Sequence, residues 1–191
     1  TGQEIMAQTS PSKGMIVKSL IAAFDVIAGR VKVEQAFEFT ASGFWYSIIA
    51  SWGFGLFMSL PFAYLGTHFL ALYSISSLVS LLLYALIVWH MLVFWQRGDK
   101  YLYFMIPFFW LYSLQIVLFG LVTIIMFMTG IIFLQLAVLP VAIWILIWQF
   151  RIARSQLNLG FGAAIGLVLG RFGVDIFIGT IGGLQSSMTL G

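Results

Sequence analysis

Five long apolar stretches, separated by short polar breaks, constrain this chain more than any other feature. The first four stretches contain no Lys, Arg, Asp or Glu, and the fifth contains one Arg and one Asp. A transmembrane helix needs about 20 consecutive apolar residues, so each stretch is long enough to cross a bilayer. The pattern predicts an all-α membrane bundle of five transmembrane helices, at residues 44–65, 69–95, 102–127, 131–150 and 159–184.

Composition agrees with lipid as the solvent. Hydrophobic residues make up 62% of the chain and charged residues 8%, against roughly 45–50% and about 25% in soluble domains. A chain of this composition has too little polar surface to coat a water-facing globule. Cysteine is absent, which excludes disulfides, thiolate metal ligands and cysteine nucleophiles. The length allows one domain, which we place at residues 44–184.

The basic residues indicate an orientation. If the chain crosses five times, eight of the nine basic residues fall on one side, and the positive-inside rule makes that side cytoplasmic. The N-terminus is then cytoplasmic and the C-terminus lies on the opposite side. The net charge of +3 is explained by this topology, and no basic run with interleaved aromatics indicates a nucleic-acid partner. The eight residues are Lys13, Lys18, Arg30, Lys32, Arg97, Lys100, Arg151 and Arg154.

Two segments precede the first stretch. Residues 1–14 are polar and predict a flexible tail, as do residues 185–191 at the other end. Residues 15–43 predict an amphipathic interfacial segment, because apolar residues recur at helical spacing and charged residues occupy another face. This helix either docks beneath the bundle and sets topology, or binds a partner or senses curvature. The apolar positions are Ile16, Leu20, Phe24, Ile27 and Val31, and the charged ones are Lys18, Asp25, Arg30 and Lys32.

The fifth stretch is glycine-rich. Glycines recur every four residues in two ladders, which let helix backbones approach closely in lipid, where packing must supply the attraction. This helix is therefore predicted either to lie centrally in the bundle or to contact another subunit. Intramolecular packing and an intermolecular interface both remain open. The glycines are Gly162, Gly166 and Gly170 in the first ladder and Gly179 and Gly183 in the second.

Arg171 and Asp175 are the only charges inside any stretch and stand four residues apart on one helix face. An unpaired charge at the bilayer centre costs several kcal/mol, so such residues pair and face protein or water. One interpretation is an ion pair that neutralises itself and docks the helix; another is an ion or substrate path. A third places the helix only partly in the membrane. A path needs further ionisable groups, and the first four stretches offer only a histidine.

Signatures of catalysis and cofactor binding are missing. The chain has no H-E-x-x-H, no G-x-S-x-G and no P-loop, and Asp175 is its only carboxylate within a stretch. His68 and His90 are predicted about 30 Å apart along one helix, so a single chain cannot use both for one haem or metal. We therefore expect no enzyme, no cofactor and no metal. A serine cluster suits interhelical hydrogen bonds or a small polar cavity, at Ser74, Ser76, Ser77 and Ser80.

The layout resembles the Yip-type five-span membrane protein family, with small bacterial, in particular alphaproteobacterial, members of unknown role. The similarity lies in segment 37–47, FEFTASGFWYS, and in the basic break Arg151–Arg154 before a Gly/Ala-rich last helix. It implies a non-catalytic protein of the bacterial inner membrane that acts through partners. It supplies no catalytic residues.

Two functional hypotheses follow. In the first, the chain is an accessory, scaffold or assembly subunit of a larger membrane complex. Its contacts with other subunits or with copies of itself are made through the fifth helix and the N-terminal helix. In the second, it is a small oligomeric transporter or channel that uses Arg171 and Asp175.

Overall fold

The computed structural model describes residues 14–61, 67–131 and 133–188, and these residues form helices without any strand. Most of the predicted N-terminal tail and the last residues of the predicted C-terminal tail lie outside these ranges. A short 3₁₀ turn, Gly98–Lys100, precedes the fifth helix. The α-helices are α1 Gly14–Ile27, α2 Val33–Ala36, α3 Ala41–Ser59, α4 Thr67–Phe94, α5 Tyr101–Thr129, α6 Leu134–Leu157 and α7 Phe161–Met188.

The helical structure of the described residues confirms the all-α prediction, and four of the described helices are long and apolar enough to cross a membrane. They match the last four predicted stretches. The first predicted stretch corresponds to α3, which is 19 residues long and includes four serines and three glycines. These residues lower its mean hydropathy, and the end of that predicted stretch lies outside the described residues. The four spans are Leu70–Phe94, Gly98–Thr129, Val138–Leu157 and Phe161–Ile181.

The long helices pack in a closed ring in the order α3, α5, α6, α7, α4 and back to α3, and α1 packs against α5. Because α1 covers its outer side, the first half of α5 is enclosed, and every residue from 104 to 111 is buried. The glycine-rich helix α7 contacts α4 and α6. It is one member of the ring, with a neighbour on each side.

The described basic residues of the N-terminal segment, of the α4–α5 connection and of the end of α6 lie at one end of the bundle. The Arg97 guanidinium, in the α4–α5 connection, donates to the backbone carbonyls of Leu157 and Asn158 at the end of α6. The Gln156 amide donates to the Glu34 carboxylate in α2 at 2.5 Å. The N-terminal segment and both connections thus share one end, as the charge pattern predicts. We call it the charged end.

Helix α1 packs differently from the predicted pattern. Its buried residues are Ala23, Val26 and Ile27, whereas Ile16 and Phe24 of the predicted apolar face are exposed. The helix therefore has two apolar sides, one against α5 and one open to its surroundings. Periodicity alone cannot separate these sides, because both are made of the same residue types.

The predicted charged residues of this segment lie at its surface. Lys18, Arg30 and Lys32 are exposed, and Arg30 pairs with Asp25 at 3.3 Å. Gly29 ends α1 with a φ of +71°, a left-handed conformation that glycine adopts without steric cost. This turn directs the chain from α1 into α2.

Candidate functional site

Arg171 lies at the centre of α7 and points into the bundle. It is ten residues from the start of the span Phe161–Ile181, which at about 1.5 Å per residue is roughly 15 Å, or half the hydrocarbon thickness. Its side chain is only 4% exposed. A cation at this depth must be neutralised by protein groups.

Three side chains bind the two terminal nitrogens of the guanidinium. Asp175 pairs with Arg171 at 2.9 Å, one turn along the same helix. The hydroxyl of Ser80 in α4 accepts from Arg171 at 2.7 Å and donates to the Asp175 carboxylate at 2.6 Å. The hydroxyl of Tyr112 in α5 accepts at 3.1 Å. One buried cation therefore ties α4, α5 and α7 together.

Two aromatic rings complete the surroundings of the cation. The guanidinium carbon lies 4.8 Å from the ring centroid of Tyr112 and 5.8 Å from that of Tyr84, within the range of cation–π attraction. The Tyr84 hydroxyl donates to the backbone carbonyl of Leu167 in α7 at 3.0 Å. Arg171 Nε is buried and has no hydrogen-bond partner among the described residues. We call Arg171, Asp175, Ser80, Tyr84 and Tyr112 the arginine cluster.

The arginine cluster is suited to joining helices. Its cation is enclosed by the side chains of three helices. Asp175 differs from the rest, because its side chain is 40% exposed at the outer edge of the cluster. A further hydrogen-bond donor from outside the chain can reach it there. The cluster can therefore hold α7 in place and present part of one carboxylate to its surroundings.

Sequence reasoning found the charged members of this cluster and missed the tyrosines. Ser80 appears only within the predicted serine cluster, and Tyr84 and Tyr112 are not singled out. A signal exists, because both tyrosines lie well inside apolar spans, where the belt position usual for tyrosine does not apply. Ser80 and Tyr84 are also four residues apart, on one face of α4.

The glycine ladder of α7 faces outward. Gly162 and Gly166 are exposed, and a Cβ at Gly162, Gly166, Gly170 or Gly179 would meet no atom within 4 Å outside the helix. The surroundings of Gly183 lie outside the described side chains. These four glycines therefore do not mark a place where another described helix packs closely against α7. We call Gly162, Gly166 and Gly170 the open glycine face.

Close approach occurs at positions that sequence reasoning did not select. A Cβ at Gly120 in α5 would collide with the Met58 side chain of α3, and a Cβ at Gly43 would lie 2.5 Å from the backbone carbonyl oxygen of Glu38. The buried hydroxyls of Ser51 and Ser113 also bond to each other at 2.8 Å between α3 and α5. The Gly120 approach and the serine pair both join α3 to α5.

The remaining polar positions show ordinary structural contacts. His90 is exposed, and its Nδ1 lies 2.8 Å from the Leu86 carbonyl oxygen, whereas the side chain of His68 lies outside the described part. The Ser74 carbonyl accepts from the Trp52 indole at 3.0 Å. Among the described residues, no group of three or more His, Asp or Glu is placed to hold a metal.

Comparison with protein-family models, with curated proteins and with solved structures gave no match. The resemblance to the Yip-type family therefore stays a prediction. Within α7, Gly162 and Arg171 lie on opposite sides of the helix.

Proposed function

We propose that this chain is a non-catalytic accessory or assembly subunit of a larger membrane complex, and that α7 makes the contact. The observation that carries this proposal is the open glycine face. In lipid, helices gain little by burying apolar surface, so close backbone packing at small residues provides much of the attraction. On the open glycine face a Cβ would meet no described atom within 4 Å outside the helix, so this face is suited to a helix of another chain.

The two sides of α7 support this division of roles. Nine residues separate Gly162 from Arg171, and at 100° per residue they point in opposite directions. The side of Arg171 holds α7 against α4 and α5 through the arginine cluster. The side of Gly162 and Gly166 is left for a partner, either another subunit or a second copy.

The proposal includes a topology. The described segment 41–61 would be roughly 31 Å long as a helix, enough to cross a bilayer, so α3 is the first of five spans. The charged end then faces the cytoplasm with the N-terminus, and the C-terminus lies on the opposite side of a bacterial inner membrane. Helix α1 lies at the interface, with Val17, Ile21 and Phe24 toward lipid.

The test replaces Gly166 with Leu and compares it with Gly53→Leu. Gly53 is an exposed glycine on α3, and a Cβ there also meets no atom within 4 Å, so the two substitutions add the same side chain to open surfaces. We expect Gly166→Leu to reduce the complex extracted in mild detergent to the single chain, whereas Gly53→Leu leaves it intact. Native mass spectrometry gives the mass of the complex and identifies a second copy or a different subunit.

Both variants should keep the thermal stability of the single chain, since the added Cβ meets no described atom within 4 Å outside its helix at either position. An unchanged complex mass in Gly166→Leu contradicts the proposal. Equal loss in both variants also contradicts it, because a general effect of added leucine is then the cause.

The half-exposed carboxylate of Asp175 favours a second candidate, a small oligomeric transporter or channel. In an oligomer, that carboxylate from several copies would line a common path, as intramembrane carboxylates do in ion pathways. Asp175→Asn should then abolish flux in proteoliposomes. A stable variant with undiminished flux argues against transport through this residue.

A further inference from the structure

One groove at the charged end lies between α1, the start of α3 and α5. Its volume is about 520 Å³, and Lys18, Glu38, Tyr46, Ile106 and Trp110 are among its lining residues. Volumes of roughly 300–1,000 Å³ are typical of sites for small ligands. The proposed assembly contact on α7 does not use this groove.

The groove contains two opposite charges that do not neutralise each other. Among the described residues, no carboxylate lies within 4 Å of the Lys18 ammonium and no cation lies within 4 Å of the Glu38 carboxylate. Neither side chain takes part in a hydrogen bond in this part of the protein. The Lys18 ammonium is therefore available to an anionic group of a ligand, and the Glu38 carboxylate is available to an ammonium group.

The groove also runs from polar to apolar surroundings. Trp110 is nine residues beyond Tyr101, the first residue of α5, which places it about 13 Å below the charged end. Ile106 lies between them, and Tyr46 borders the groove from the second turn of α3. A ligand with a charged head and an apolar body matches this gradient.

We propose that this groove binds a phospholipid with a zwitterionic headgroup that ends in a primary ammonium, the phosphatidylethanolamine class. Lys18 binds the phosphate, and Glu38 accepts hydrogen bonds from the ammonium. The beginning of the acyl chains lies against Ile106 and Trp110. A headgroup that is only anionic is repelled by Glu38, and a choline headgroup has no N–H group to donate.

The experiment measures lipid retention by the purified protein with native mass spectrometry. Phosphatidylethanolamine, phosphatidylglycerol and phosphatidylcholine with identical acyl chains are added in turn. We expect the wild type to retain phosphatidylethanolamine about tenfold better than the other two, the effect of one charge-assisted hydrogen bond. Equal retention of all three lipids overturns the proposal, as does a preference for phosphatidylcholine.

Two variants assign the roles of the charges. Glu38→Gln should abolish the preference for phosphatidylethanolamine over phosphatidylglycerol, and Lys18→Gln should weaken retention of both. Lys32→Gln is the matched control, because Lys32 is exposed and does not line the groove. A change in Lys32→Gln as large as in Lys18→Gln overturns the proposal in favour of general surface charge.

Soluble phosphoethanolamine separates the lipid from a free headgroup. If it competes with the lipid at equal concentration, the acyl chains contribute nothing and the site is one for a soluble ligand, which overturns the lipid assignment. Because all three substituted side chains are exposed, the variants should keep the wild-type melting temperature. Complex mass in the Gly166→Leu experiment is a separate measurement, so neither result decides the other.

Discussion

Replacing Arg171 with Met removes the buried cation while keeping a long side chain at the centre of α7. The Asp175 carboxylate keeps the hydroxyl of Ser80 at 2.6 Å but loses the guanidinium at 2.9 Å. Breaking a buried ion pair from one side costs about 3–5 kcal/mol, because the other charge is left without compensation. Since Asp175 keeps the hydrogen bond from Ser80, we expect about 3 kcal/mol, the lower end of that range.

A second substitution decides whether the uncompensated charge causes this loss. Asp175→Asn, added to Arg171→Met, removes the charge while its amide oxygen still accepts from Ser80. The double variant should therefore be more stable than Arg171→Met alone, by about 2 kcal/mol. Asp175→Asn alone should cost less than Arg171→Met, because Arg171 keeps Ser80 and the ring and hydroxyl of Tyr112.

The assay is reversible unfolding in mixed micelles, with the denaturing detergent titrated and helix content followed by circular dichroism. The four proteins form a double-mutant cycle, and Leu169→Met is the control for adding methionine to an exposed position of α7. A double variant that is no more stable than Arg171→Met refutes the reasoning. The lost stability would then come from packing of the arginine side chain and not from its charge.

Two further predictions concern other parts of the bundle. Gly120→Val should lower the free energy of unfolding by about 1–3 kcal/mol, because its side chain collides with Met58; Gly53→Val should change it little, and the same detergent titration compares them. The hydrogen bond from Gln156 lowers the pKa of Glu34 below 4.5. The stabilisation from the ionised Glu34 carboxylate is then present above pH 4.5 and is lost as the pH falls through the lowered pKa of Glu34. Gln156→Ala should therefore reduce the melting temperature at about pH 6 and leave it unchanged at about pH 3.

Helix positions could be predicted because apolar length is visible in a sequence. The predicted stretch 102–127 corresponds to α5, Tyr101–Thr129, and the predicted stretch 69–95 to α4, Thr67–Phe94. The end of α6 was predicted less well, at residue 150, whereas the helix continues to Leu157. Hydropathy marks the part of a helix that lies in lipid, but the helix itself ends only where Asn158 adopts a left-handed conformation.

The neighbours of each helix could not be predicted, because most of these helices are apolar around their whole circumference. The enclosed position of α5 and the collision point at Gly120 depend on how each helix is rotated about its axis. In a soluble protein the polar face gives that rotation, but in lipid the outer face is as apolar as the inner one. Glycine spacing alone therefore pointed to α7 as the site of close approach, while the structure places that approach between α3 and α5.

The arginine cluster supplies the rotational information that the apolar surface of α7 lacks. Its hydrogen bonds to Ser80 and Tyr112 can form in only one rotation of α7, because a turned helix would expose Arg171 to lipid at a cost of several kcal/mol. Gly162 stands nine residues away, on the opposite side. The rotation that buries the cation is therefore the one that turns the glycines outward. A pair of charges whose net contribution to stability is small can still determine which face of the helix a partner meets.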